Sequence, residues 1–134
     1  MSFVLDASVC LSWLMPDEKH PDADAALLLL RRESAAAPVI WWFEIRNSLL
    51  NAERKGRLRG ASPEELLQTV AALPIERRTE IEQHDAMRLS RQHRLTFYDA
   101  SYLALALELR VPLATLDKEL RDAARREGVP LISA

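Results

Sequence analysis

Phe3-Val4-Leu5-Asp6-Ala7-Ser8 sets three apolar residues against an acid and then begins a helical pattern. So short an apolar run, ending at a charge, reads as a buried strand. From Ala7 to Met15 the apolar side chains recur at helical spacing, Val9 with Trp13 and Cys10 with Leu14, until Met15-Pro16 closes the segment. The same alternation continues along the chain. Pro21–Glu33 predicts a helix with Pro21 in its first turn and Arg31-Arg32 in its last. Ala37–Ile40 predicts a second strand, and Trp41–Lys55 a long helix ended by Gly56. Ser62-Pro63-Glu64-Glu65 is a capping box that starts a helix stopping before Pro74. Ile75–Arg78 reads as a strand, Glu80–His93 and Thr96–Arg110 as helices, and Val111–Leu116 as a strand. Asp117–Glu127 follows as a helix closed by Gly128, and Val129–Ile132 as a last strand. Strands alternating with helices need crossover connections, so the pattern predicts an α/β fold with a mostly parallel sheet, in a single domain over residues 1–134.

Composition narrows the function classes. The net charge of −2 provides no global positive field to hold nucleic acid, so an anionic substrate needs local basic groups or bound cations. Cys10 is the only cysteine, which excludes an internal disulfide and fits a small buried apolar residue better than a nucleophile. With three glycines and no Gly-rich loop, a phosphate cradle of that kind is absent. His20, His84 and His93 have no zinc-ligand spacing and read as solvated surface groups. Apolar runs such as Ala25–Leu30 are far short of the ~20 residues that span a bilayer. Met1–Asp6 shows no basic region of a signal peptide, and a cytoplasmic location is expected.

Four acids fall at strand ends or helix starts: Asp6, Glu44, Asp99 and Asp117. In parallel α/β sheets that edge is where ligands bind. Each aspartate has a plainer reading as well. Asp6 and Asp117 sit where N-caps sit, and Thr96-Phe97-Tyr98-Asp99 fits a capping box. Glu44 stands among Ile40, Trp41, Trp42, Phe43 and Ile45, and a carboxylate in such company needs a partner.

Taken in order, Val4-Leu5-Asp6-Ala7-Ser8, then Pro38 followed by Glu44-Ile45-Arg46-Asn47, then Tyr98-Asp99-Ala100-Ser101-Tyr102, then Thr115-Leu116-Asp117 resemble the motifs of PIN-domain proteins. Within that family they are most similar to the VapC ribonuclease toxins of toxin–antitoxin pairs. The resemblance spans essentially the whole chain. It implies a three-layer domain with a central sheet of four to five strands flanked by helices. It implies that Asp6, Glu44, Asp99 and Asp117 bind Mg²⁺ (or Mn²⁺ in its place), with Ser8, Asn47 and Thr115 supporting them. It implies an RNA substrate, a homodimer, and a VapB-like antitoxin that covers the site. A PIN-type nuclease of housekeeping RNA processing, and a non-catalytic acidic-pocket or RNA-binding module, remain as alternatives.

The chemistry agrees with a metal. Two ionised carboxylates ~5 Å apart repel by about 3 kcal/mol at an effective dielectric of ~20. Four together need cations between them or must protonate in part. Oxygen-only ligands suit Mg²⁺ or Mn²⁺ rather than zinc. Elsewhere, Arg54-Lys55-Gly56-Arg57-Leu58-Arg59 is the densest basic run, either a solvated loop or a contact for RNA phosphates. Trp41-Trp42-Phe43 cannot all face inward from one helix, so at least one aromatic is expected at a protein interface. The apolar Leu27–Leu30 stretch suggests the same.

Overall fold

The computed structural model describes residues 3–80 and 83–134, with Gln83 and His84 described by their backbone alone. Four strands form one sheet: β1 (Phe3–Leu5), β2 (Ala35–Pro38), β3 (Ile75–Arg78) and β4 (Leu113–Ala114). Their order is β3-β2-β1-β4, and all three pairings are parallel. Seven helices are described: α1 (Ala7–Leu14), α2 (Pro21–Leu29), α3 (Val39–Arg54), α4 (Pro63–Ala71), α5 (Gln83–His93), α6 (Phe97–Leu109) and α7 (Lys118–Arg126).

The order dictates the layers. The chain steps from β1 to β2 to β3 in one direction, then crosses back over β2 and β1 to reach β4. Right-handed crossovers therefore put α1–α4 on one face and α5–α6 on the other. Packing agrees: α3 lies on β2 and β3, whereas α6 lies on β1, β2 and β4 and also against α5 and α7. α6 is buried along its length from Ala100 to Ala106, which explains why it is Ala- and Leu-rich on all sides. The central strands are wholly buried, as parallel strands covered on both faces must be.

Helix ends follow the expected chemistry. Ser62 Oγ accepts from Glu65 N at 3.1 Å and so caps α4, with Pro63 in its first turn. Three expected strands came out differently, and of Val111–Leu116 only Leu113–Ala114 is strand. The apolar Val39-Ile40 pair belongs to α3, and β2 sits earlier, over the three alanines that pair with β1 and β3. Of the last predicted strand only a parallel bridge between Leu113 and Leu131 forms. Pro130 has no N–H to donate to a ladder and contributes only its carbonyl, to Leu113 N at 2.9 Å. Residues 81–82, which lie within the predicted Glu80–His93 helix, and the side chain of His84 fall outside the described residues.

Candidate active site

Asp6 occupies the N-cap position of α1, directly after β1, with extended backbone. Its carboxylate makes no cap bond to that helix. Oδ2 instead accepts from Ser8 Oγ at 2.7 Å and from Thr115 Oγ1 at 2.6 Å. Each hydroxyl also accepts: Ser8 from Leu116 N at 3.0 Å, Thr115 from Asp117 N at 3.1 Å. One donated and one accepted bond per hydroxyl orients both, and this small network ties the end of β1 to the end of β4. Arg121 braces the same corner by donating from Nη1 to Thr115 O at 2.9 Å and by pairing with Asp22 at 3.4 Å.

Glu44 arrives from α3, whose first turn begins where β2 stops. The partner its apolar surroundings demanded is Tyr102 of α6, whose hydroxyl donates to Oε1 at 2.6 Å. The Tyr102 ring is fully buried, so this bond fixes Glu44 against a rigid element. Asp99 lies in the first turn of α6, where Thr96 Oγ1 accepts from its backbone N at 3.0 Å. Asp117 caps α7 by accepting from Leu120 N at 2.9 Å. The plainer capping reading therefore holds for Asp117 and in part for Asp99, and fails for Asp6.

The electrostatics couple all four acids. Burial pushes the Asp6 carboxyl up to about 6; the Thr115 and Ser8 hydroxyls oppose this, and the Glu44 charge adds to it. Asp99 is likewise pushed up to about 6, first by burial and then by Asp6 and Asp117, while the Thr96 hydroxyl opposes and Glu119 adds. Glu44 is raised by burial against the opposing Tyr102 bond, with Asp99 adding to the rise. Among the described residues none of the four is in an ion pair. Nor, among those residues, do any three acid, histidine or cysteine side chains converge closely enough to ligate one ion as they stand. The fit to a divalent cation is thus one of donor chemistry and uncompensated negative charge, not of a preformed coordination shell. The donors are all oxygen, as Mg²⁺ and Mn²⁺ prefer.

The PIN domain profile matches residues 3–126. The chain belongs to the PIN-domain family. Ribonuclease VapC3 of Pyrobaculum aerophilum is 31% identical over 126 residues, covering 91% of this chain and 94% of that protein. The crystal structure of PAE2754 from Pyrobaculum aerophilum is similar at a TM-score of 0.71 and 26% identity, over 92% of this chain and 84% of that one. A chain in a toxin–antitoxin complex from Klebsiella pneumoniae shares the fold at a TM-score of 0.60 and 17% identity, over 87% of each.

Not every expected residue of this PIN domain joins the four acids. Asn47 is exposed one turn beyond Glu44, and among the described residues no hydrogen bond joins it to any of the acids. Tyr102 and Glu119 were not singled out from the sequence. The signal for Tyr102 was its place three residues after Asp99, and that for Glu119 its place two after Asp117. His93 is not a solvated surface group: its side chain is 3% exposed and its Nε2 lies 2.7 Å from Glu127. In the basic run, Arg57 pairs with Asp17 and Glu18, each at 3.2 Å, in a partly exposed cluster. Trp41 is buried and Trp42 half-buried, leaving Phe43 as the aromatic that faces outward. Leu27 and Leu28 are exposed on α2. No helix among the described residues is long and apolar enough to cross a membrane.

Proposed function

We propose that this PIN domain is a metal-dependent endoribonuclease, the toxin of a toxin–antitoxin pair. Asp6, Glu44, Asp99 and Asp117 hold Mg²⁺, or Mn²⁺ in its place. The observation that carries the reading is that Asp6, Glu44 and Asp99 are raised, first by burial and then by the charge of neighbouring acids, with no cationic partner among the described residues. Carboxylates that are buried near one another hold their charge poorly unless something positive joins them. A divalent ion bound there would supply positive charge to help deprotonate an attacking water and to offset charge on the leaving oxygen.

The chain's own residues do the rest. Ser8 and Thr115 hold the Asp6 carboxylate in one orientation, and Tyr102 does so for Glu44. Their donated bonds favour the ionised forms that a ligand set requires. The reaction is hydrolysis of an RNA phosphodiester: water oxygen joins phosphorus, the bond to the 3′ oxygen breaks, and the products carry a 5′ phosphate and a 3′ hydroxyl. Likeness to a ribonuclease VapC3 over nearly the full chain supports RNA as substrate. The fold shared with a chain in a toxin–antitoxin complex supports an antitoxin partner, VapB-like, lying over the acids. Such a partner can present a guanidinium where the cation would sit, since both satisfy clustered carboxylates. The outward Phe43 and the exposed leucines of α2 suit a homodimer or that partner.

Asp99→Asn tests the assignment. The variant keeps the size of the side chain and removes its charge; cleavage of single-stranded RNA in Mg²⁺ is expected to vanish with the fold intact by circular dichroism. Wild-type rates in the purified variant, or wild-type activity that survives saturating EDTA, would sink the proposal.

A further inference from the structure

Helices α3 and α4 and strand β3 enclose a cavity of about 240 Å³ that none of the four acids lines. Its apolar walls combine aliphatic side chains, Ile45, Val70, Leu73 and Ile75 among them, with the ring of Trp42. Trp41 also lines it, only 6% exposed, and its buried indole Nε1 has no acceptor among the described residues. Buried donors are nearly always paired, so an orphan beside a hollow calls for an explanation.

The polar part of the lining is cationic. The Arg46 guanidinium lies 3.4 Å from the centre of the Trp42 ring and donates to Trp42 O at 3.1 Å. The Arg77 guanidinium lies 5.6 Å from the same ring centre. Neither arginine is in an ion pair with an acid among the described residues. Burial holds the Arg46 guanidinium below its ordinary value, and the Arg77 charge adds to the effect.

Three properties thus coincide: an aliphatic hollow, an indole N–H lacking an acceptor, and two like charges lacking counter-ions. A purely apolar occupant would leave the indole donor and the partly buried Arg46 charge unanswered. A nucleobase suits the site poorly, because Arg46 already covers a face of Trp42 and, Trp41 apart, the remaining apolar lining is aliphatic. We propose that this cavity docks an acidic–aliphatic peptide segment of a protein partner. One aliphatic side chain fills the hollow, an oxygen of the segment accepts from Trp41 Nε1–H, and its carboxylate lies against Arg46 and Arg77. This goes beyond the ribonuclease reading and stands whether or not the acids cleave RNA.

The test uses the full chain labelled with ¹⁵N and the blocked peptide acetyl-Glu-Leu-Leu-Glu-amide. The Trp41 indole resonance is assigned by its loss in Trp41→Phe. Saturable displacement of that resonance is expected, and a peptide with glutamine in place of both glutamates should bind at least about tenfold more weakly, as loss of charge-assisted bonds implies. The double variant Arg46→Gln/Arg77→Gln should lose a similar factor for the acidic peptide. The comparison of the two peptides on the wild-type chain holds even if that variant folds poorly. A resonance that does not move, or equal binding of both peptides, overturns the proposal. So does displacement by a single-stranded RNA oligonucleotide in EDTA where the acidic peptide has none, since the cavity would then be a phosphate contact.

Discussion

Replacing Asp6 by asparagine removes a buried charge while keeping an oxygen for the Ser8 and Thr115 hydroxyls to donate to. Burial is the main reason the folded carboxyl titrates at about 6 rather than 3.8. An acid raised in this way favours the folded state only while it is protonated. The advantage is complete below the unfolded value, declines as pH rises from 3.8 to about 6, and is gone above that. Near pH 7 the ionised Asp6 therefore costs the metal-free protein about 3 kcal/mol relative to a neutral side chain. Asparagine gives back about 1 kcal/mol of this, because its amide accepts less well from the Ala7 backbone. The net expectation is a variant more stable by about 2 kcal/mol in EDTA, or roughly 8 °C in Tm for a chain of this size. Saturating Mn²⁺ should reverse the order, since an ion at ~100 times its dissociation constant stabilises the wild type by about 2.7 kcal/mol. Calorimetry of both proteins at neutral and at acid pH, with chelator and with Mn²⁺, reads all four arms. A variant less stable than wild type in EDTA at neutral pH would refute the reasoning, because Asp6 would then be a structural acceptor. So would a difference that persists unchanged into acid.

Tyr102→Phe removes the donor that holds Glu44 Oε1 at 2.6 Å, and should cost about 1.5–3 kcal/mol in urea unfolding, as bonds to charged groups do. RNA cleavage should fall with it, and an unchanged stability would mean the bond is not made in solution. Asp117→Asn should leave stability nearly unaltered, because asparagine caps a helix as well as aspartate, whereas Asp117→Ala should lose about 1 kcal/mol. If both variants cleave RNA at the wild-type rate, Asp117 is a cap and nothing more. Glu127 is opposed by burial, yet bonds from His93 and Arg88 outweigh it and hold its carboxyl below the ordinary carboxylate range. That stability is present above the unfolded value and lost as pH falls through the lower folded one. Glu127→Gln should therefore lower Tm at neutral pH and converge with wild type in acid; a gap constant with pH would contradict the pairing.

Much of the fold was legible because local signals and tertiary packing agree. Helical periodicity, the Ser62 capping box and Pro21 located helix starts to within a few residues. The strands were harder. Val39-Ile40 looks like strand by composition, but Pro38 supplies the extended N-cap from which α3 starts, and the three alanines before it pair in register with β1 and β3. No pattern along the chain distinguishes those cases, because the choice depends on which residues face a neighbouring strand. The site divides in the same way. Asp6, Glu44, Asp99 and Asp117 could be picked out by position relative to strand ends. Tyr102 could not be given its role, since a buried tyrosine in an Ala- and Leu-rich helix looks like core until α3 is known to lie across from it. His93 was misread for the complementary reason: its partner Glu127 is more than thirty residues away.

Capping and ligation are rival readings of each aspartate, and the geometry of Asp117 makes them compatible. A carboxylate has about four lone-pair sites, and the bond from Leu120 N to Asp117 uses one of them. The N-terminus of α6 favours the ionised form of Asp99 by a few tenths to about 1 kcal/mol. Helix starts are therefore good places to keep acids charged near other acids, and parallel sheets gather helix starts along one edge. Asp6 shows the limit of that economy. It sits at a helix start without capping it, is buried, and has its carboxylate turned to hydroxyls from its own helix and from the far end of the chain. A residue whose only task was to close α1 would not need Thr115, and Thr115 would not need to be buried with it. The cap explanation therefore fails first where the acid is most buried, and there the demand for a compensating cation is greatest.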